Sequence, residues 1–100
     1  MNNSNFASDV SKKGFITHIG GIDFKKTSEN TFEFSVTVKN YNLNSGGISH
    51  GGYIAAILDN GMCSAAYHVI DGKRCVTIAL DIKFISASKE GDTLIGKVKI

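Results

Sequence analysis

Hydrophobic and polar positions along the chain change their period twice, and the changes mark its elements. Phe15, Thr17 and Ile19, then Ile22 and Phe24, form two short alternations separated by Gly20-Gly21, which predicts a strand with a bulge or kink. Thr31 to Val38 alternates strictly, so a strand there puts Phe32, Phe34, Val36 and Val38 on one face. Ser28-Glu29-Asn30 just before it supplies the turn of a hairpin. After Lys39 the alternation stops. Asn40 to Ser49 is rich in Asn, Ser and Gly, a loop by composition. From Tyr53 to Val69 the apolar run is too long and too rich in alanine for a strand. The helix this predicts is apolar on nearly all sides, as helices in the middle of a fold are. Asp71-Gly72 then turns into an alternating run from Cys75 to Phe84, with Val76, Ile78, Leu80, Ile82 and Phe84 on one face. Glu90-Gly91-Asp92 turns again, into a last strand from Thr93 to Ile100.

The order β-β-α-β-β predicts an α+β domain, an antiparallel sheet wrapped over one hydrophobic helix. A sheet of this size leaves much of a helix of about five turns bare. The sheet therefore reads as lacking its last strands at Ile100, so that further strands follow in the parent protein or an oligomer partner covers the gap. The 100 residues are room for one domain, expected over residues 14–100 behind a flexible N-terminal tail over 1–13.

Composition narrows the class. Eleven basic against nine acidic residues give +2, and the basic positions are spread from Lys12 to Lys99 without forming a stripe, which argues against a nucleic-acid partner. The first 13 residues have no apolar segment of the signal-peptide type, and the longest apolar stretch, Ile48 to Leu58, is broken by glycines and stopped by Asp59. No membrane association is expected, and with Cys63 and Cys75 forming no CxxC pair the reading is a reducing, cytoplasmic chain. Cys63, His68 and Cys75 match no metal-ligand spacing. His18 and His68 read as surface or strand histidines. Phe32, Phe34 and Phe84 read as core and not as a stacking platform.

The chemistry concentrates on the helix. Asp59 is the one carboxylate between Glu33 and Asp71, placed in the most apolar part of the chain, where a lone carboxylate needs donors or its proton. The competing reading makes Leu58-Asp59-Asn60-Gly61 a turn between two short helices, with Asp59 an exposed N-cap. Ser49-His50-Gly51-Gly52 stands at the helix start, where free N–H groups and the dipole favour an oxyanion or polarised carbonyl; a merely flexible Gly-Gly lead-in is the bland alternative. Gly51 and Asp59 are eight residues apart, about 12 Å along the axis, too far to act on one reacting atom. If both are catalytic, they come from different subunits, two helices packed side by side and antiparallel.

The run from Asn44 through His50-Gly51-Gly52 to Asp59, followed by Ala65-Ala66, resembles the signature of the hotdog-fold acyl-CoA thioesterases of the phenylacetate-degradation (PaaI-like) group. Thr77 and the stretch from Leu80 to Gly91-Asp92 are similar to that family's strand after the helix and the turn beyond it. The resemblance covers about Phe15 to Ile100. It implies a hotdog fold, a homodimer that often pairs into a homotetramer, and a thioester lying at the subunit interface. It implies that the Gly51 N–H holds the thioester oxygen and that Asp59 of the partner chain is general base or nucleophile. Asn44 would place the water or the substrate. His50 would lie near the sulfur or orient Asn44, and Thr77 would hold Asp59 or the water. Gly52, Ser86, Ser88 and Lys89 are the expected substrate-binding positions, and Lys73, Arg74 and Lys89 are candidates for the CoA phosphates. No metal or cofactor is called for. Where the family usually carries a proline, this chain reads Ser86-Ala87-Ser88. The alternative function is a hotdog protein that binds acyl-CoA without turnover; an acyl-dehydratase expects a different His/Asp or His/Glu arrangement.

Overall fold

The computed structural model describes residues 13–71, 73, 76–77, 79–82 and 86–100. Their elements, in chain order, are the short helix α1 (Phe15–His18), strands β1 (Asp23–Lys26) and β2 (Thr31–Thr37), a 3-10 turn (Asn40–Asn42), the long helix α2 (Gly51–Val69) and strand β3 (Thr93–Lys99). The described strands make one antiparallel sheet in the order β1-β2-β3.

β2 carries the strict alternation, and it became the middle strand. Its register runs from Asp23 opposite Ser35 on one side and from Thr31 opposite Lys99 to Thr37 opposite Thr93 on the other. Phe32, Phe34 and Val36 point into the core, and Val38 follows them just past the strand end. Each such side chain contributes roughly 1.5–3 kcal/mol by burial. The helix packed on this face buries a stripe of Tyr53, Ile57, Gly61, Ser64, Ala65 and His68, spaced at three and four residues as one helical face requires. Ile16, Ile22, Phe34, Val36, Val38, Tyr53 and Ile57 form one cluster.

Helix and sheet approach closely at Phe34. A Cβ added at Gly61 of α2 or at Gly96 of β3 would overlap the Phe34 ring, so the ring lies between two residues without side chains. That sets how near α2 can sit to the sheet, and with it the shape of the space beside the helix start.

Three expectations change. The Phe15–Ile19 alternation is not a strand: Phe15–His18 is a single helical turn, with Ile16 buried and Phe15 exposed. Gly20 and Gly21 take φ of 110° and 74°, conformations open to glycine, and the Gly21 N–H closes the turn on the Ile16 carbonyl at 2.8 Å. Only Asp23–Lys26 pairs. In the expected strand from Cys75 to Phe84, the described residues Val76, Thr77 and Ala79 to Ile82 pair with no described strand, and Val76 is 85% exposed. Alternation makes a segment fit a sheet, but a strand also needs a neighbour for its N–H and C=O groups. Cys75, Ile78, Lys83, Phe84 and Ile85 lie outside the described residues, as do Gly72, Arg74 and residues 1–12. Finally, His68 is a buried helix residue, its ring edge-on to Phe32 at 5.2 Å, while His18 is exposed on α1. Among the described residues no helix is long and apolar enough to cross a membrane.

Candidate active site on the central helix

The loop before α2 is built by Asn44. Its side-chain oxygen accepts from the Gly46 N–H at 2.8 Å and from the Ile48 N–H at 3.4 Å, an Asx turn, and its backbone N–H donates to the Ile48 carbonyl at 2.7 Å. An isolated bridge between Leu43 and Ser49 closes the loop. Asn42, buried below it, accepts from the Lys39 N–H and donates to the Ile19 carbonyl, both at 2.9 Å, and so ties the loop to the α1 turn. The chain therefore reaches α2 from a fixed direction.

His50 is the N-cap. Its extended backbone (φ −64°, ψ 133°) precedes the helix, and its Nδ1 accepts from the Gly52 N–H at 2.8 Å. A neutral His50 thus carries its hydrogen on Nε2. Among the described residues the His50 ring is hydrogen-bonded to its own helix and the Asn44 side-chain oxygen to its own loop. With Gly52 engaged by the cap, Gly51 is the first-turn residue whose N–H meets no acceptor among the described residues, and it sits at the positive end of a helix 19 residues long.

A cavity of about 860 Å³ opens beside this end. Asn44, Gly51, Ser86 and Ser88 line it together, against an apolar floor that includes Phe34, Ile54, Ile57, Leu58 and Leu94. Ser88 is fixed there by Ser49, whose N–H donates to the Ser88 carbonyl at 2.8 Å and whose hydroxyl meets the Ser88 hydroxyl at 2.5 Å. Lys89 is exposed beside it, its N–H held by an Asp92 carboxylate oxygen at 2.9 Å.

Asp59 lies elsewhere. The helix runs through Leu58-Asp59-Asn60-Gly61 without a break, so the reading of that segment as a turn between two helices is not the one adopted. Asp59 is half-buried and is not part of the cavity lining. It has found a donor: the Thr77 hydroxyl donates to Asp59 Oδ1, across the gap between helix and following segment. Cys63, one turn further along α2, places its Sγ 3.3 Å from the Thr77 oxygen.

Of the residues singled out in the sequence, the structure thus brings together Asn44, Gly51, Ser86 and Ser88 at the cavity, and Asp59 with Thr77 along the helix. Sequence reasoning missed Ser49 and Cys63 as members of these groups. Ser49 meets a partner 39 residues away and Cys63 one 14 residues away, and neither pairing has a local signal.

The hotdog fold is shared with solved structures. Zebrafish thioesterase superfamily member 2 superposes with a TM-score of 0.77 at 19% identity, over 94% of this chain and 69% of that one. The Escherichia coli PaaI protein from the phenylacetic acid degradation operon does so with a TM-score of 0.75 at 24% identity, over 96% of this chain and 71% of that one. Comparison with curated protein sequences finds no match. The family profile described as thioesterase superfamily matches residues 46–100, a span that holds the helix start, Asp59, Thr77 and the cavity serines, and the chain is therefore a member of the thioesterase superfamily.

Proposed function

We propose that the chain hydrolyses acyl-CoA thioesters to the free acid and CoA thiol, at sites shared between two copies of itself in a homodimer or a dimer of dimers. Family membership supports thioester hydrolysis as the chemistry. The observation that carries the finer reading is the separation of two half-sites on one helix. The unengaged Gly51 N–H and the cavity are at the start of α2; the carboxylate with its hydroxyl donor is eight residues on, about 12 Å along the axis, and outside the cavity lining. An antiparallel pair of such helices puts the Asp59 of one protomer opposite the Gly51 of the other, twice per dimer.

In this mechanism the acyl chain occupies the apolar floor, and the thioester carbonyl oxygen points at the Gly51 N–H. Asp59 of the partner takes a proton from a water, the water oxygen bonds to the carbonyl carbon, and the carbonyl electron pair moves onto the oxygen held by Gly51 and the helix dipole. Collapse breaks the C–S bond. The leaving sulfur takes the proton that Asp59 accepted from the water, while His50 keeps its own proton and offers the sulfur an Nε2–H hydrogen bond. Asn44 positions the water or the acyl carbonyl. Gly52, Ser86, Ser88 and Lys89 contact the pantetheine and phosphate portions, Lys73 and Arg74 being further cations for the phosphates.

Thiol release from aryl-acetyl and medium-chain acyl-CoAs tests the reading. Wild type should turn over, and Asp59→Asn should fall about a hundredfold or more, the usual contribution of a general base. Equal rates for the two chains would refute the role of Asp59. Tight CoA-ester binding by wild type with no hydrolysis over hours would replace the enzyme with a non-catalytic acyl-CoA-binding protein.

A further inference from the structure

A count of hydrogens at Thr77 assigns a role to Cys63. The Thr77 hydroxyl has one hydrogen and donates it to Asp59 Oδ1. Its oxygen also lies 3.3 Å from Cys63 Sγ, within the normal range for a bond to sulfur. Since the hydroxyl hydrogen is already directed at the carboxylate, the hydrogen in the second contact must come from the thiol. The result is a chain with one direction, from the Cys63 S–H to the Thr77 O–H to the Asp59 carboxylate.

We infer that Cys63 is a positioning residue for the proposed hydrolysis, acting on Asp59 through Thr77. The inference rests on the reading of Asp59 as the base. Cys63 and Asp59 are four residues apart on α2 and so share a face, whereas Thr77 arrives from the segment after the helix and is exposed. A hydroxyl in that setting has other staggered positions to occupy. The thiol restricts it: accepting from sulfur is compatible with the rotamer in which the hydrogen points at Oδ1. It also polarises the hydroxyl, since a group that accepts a bond becomes a better donor. With Oδ1 held this way, Oδ2 is the oxygen left to receive a proton from water. The thiol itself touches none of the reacting atoms. Cys63 is of intermediate exposure, and serine can supply the same donor from nearly the same place whereas alanine cannot.

The test measures kcat, KM and the pH dependence of kcat for full-length wild type, Cys63→Ala, Cys63→Ser, Thr77→Val and the Cys63→Ala/Thr77→Val double variant, with Asp59→Asn as reference. Cys63→Ala should lower kcat about threefold to tenfold, the span of one neutral hydrogen bond, with KM unchanged and the acid limb of kcat moved to higher pH. Cys63→Ser should restore both. On the Thr77→Val background Cys63→Ala should cost nothing further, because the link it acts through is gone. The inference is overturned if Cys63→Ala matches wild type in rate and pH profile, if Cys63→Ser is as impaired as Cys63→Ala, or if the loss persists in full without the Thr77 hydroxyl. Failure of the underlying reading looks different: Asp59→Asn would then be as active as wild type.

Discussion

Replacing Gly61 by Ala sets two forces of opposite sign against each other at one position. In an open helix the change stabilises by about 1 kcal/mol, because alanine loses less backbone freedom than glycine. In this fold the added Cβ would overlap the ring of Phe34. The ring has no room to move toward β3, because a Cβ added at Gly96 would overlap it as well. Overpacking of this kind costs about 1–3 kcal/mol, and a ring held on both sides belongs at the upper end. The net expectation is a loss of about 2 kcal/mol, or a melting temperature lower by about 8–16 °C for a domain of this size. Thermal unfolding followed by circular dichroism measures it, together with the Phe34→Leu single variant and the Gly61→Ala/Phe34→Leu double variant. With the ring removed, Gly61→Ala should become neutral or stabilising, a coupling of about 2–3 kcal/mol. A melting temperature for Gly61→Ala equal to or above wild type would refute the placement of Phe34 between helix and strand.

Two further outcomes follow from the site. His50→Ala removes the acceptor of the Gly52 N–H and should lower stability by about 1 kcal/mol, read as a melting temperature about 4–8 °C lower, while His50→Asn, a good cap, should recover most of it. Burial raises the Tyr53 phenol above the ordinary tyrosine value of 10.0, and the charge of Tyr41 adds to the shift. The unfolded chain therefore gives up that proton first, so Tyr53 leaves stability unchanged below about pH 10 and weakens it as pH climbs from there toward the raised folded value. Denaturant midpoints taken across that range should fall with pH in wild type and fall less in Tyr53→Phe.

The parts of this fold that were legible in the sequence are those where one local force settles the outcome. In β2 every second residue is a large apolar one, and all three of Phe32, Phe34 and Val36 are buried, because a one-residue slip would expose the whole set. Helix α2 was legible from its length and alanines; Gly51 and Asp59 were singled out by their places on that helix, and Asn44 only through the family resemblance. Phe15 to Ile19 misled because five residues carry too little periodicity to tell a strand from a helical turn; the glycines on either side, with their positive φ, decided for the turn. The run from Val76 to Ile82 has a strand's alternation, yet pairing depends on a neighbour the run does not specify. The link from Cys63 through Thr77 to Asp59 was half legible. The resemblance placed Thr77 near Asp59, but a thiol on a helix reveals its partner only once the segment after the helix is folded against it.

The most direct test of a site shared between two chains is to mix two inactive proteins. Gly51→Pro removes one N–H and little else: Gly51 is the first helical residue, where proline is tolerated, and the extended His50 backbone before it suits a following proline. Asp59→Asn removes the base. Each variant alone should be nearly inactive in thiol release. Unfolded and refolded together in equal amounts, half the dimers are mixed, and each mixed dimer has one site with both an intact Gly51 and an intact Asp59. Recovery of about a quarter of wild-type activity is the predicted result, and no recovery from a mixture shown to contain mixed dimers would contradict a site built from two chains.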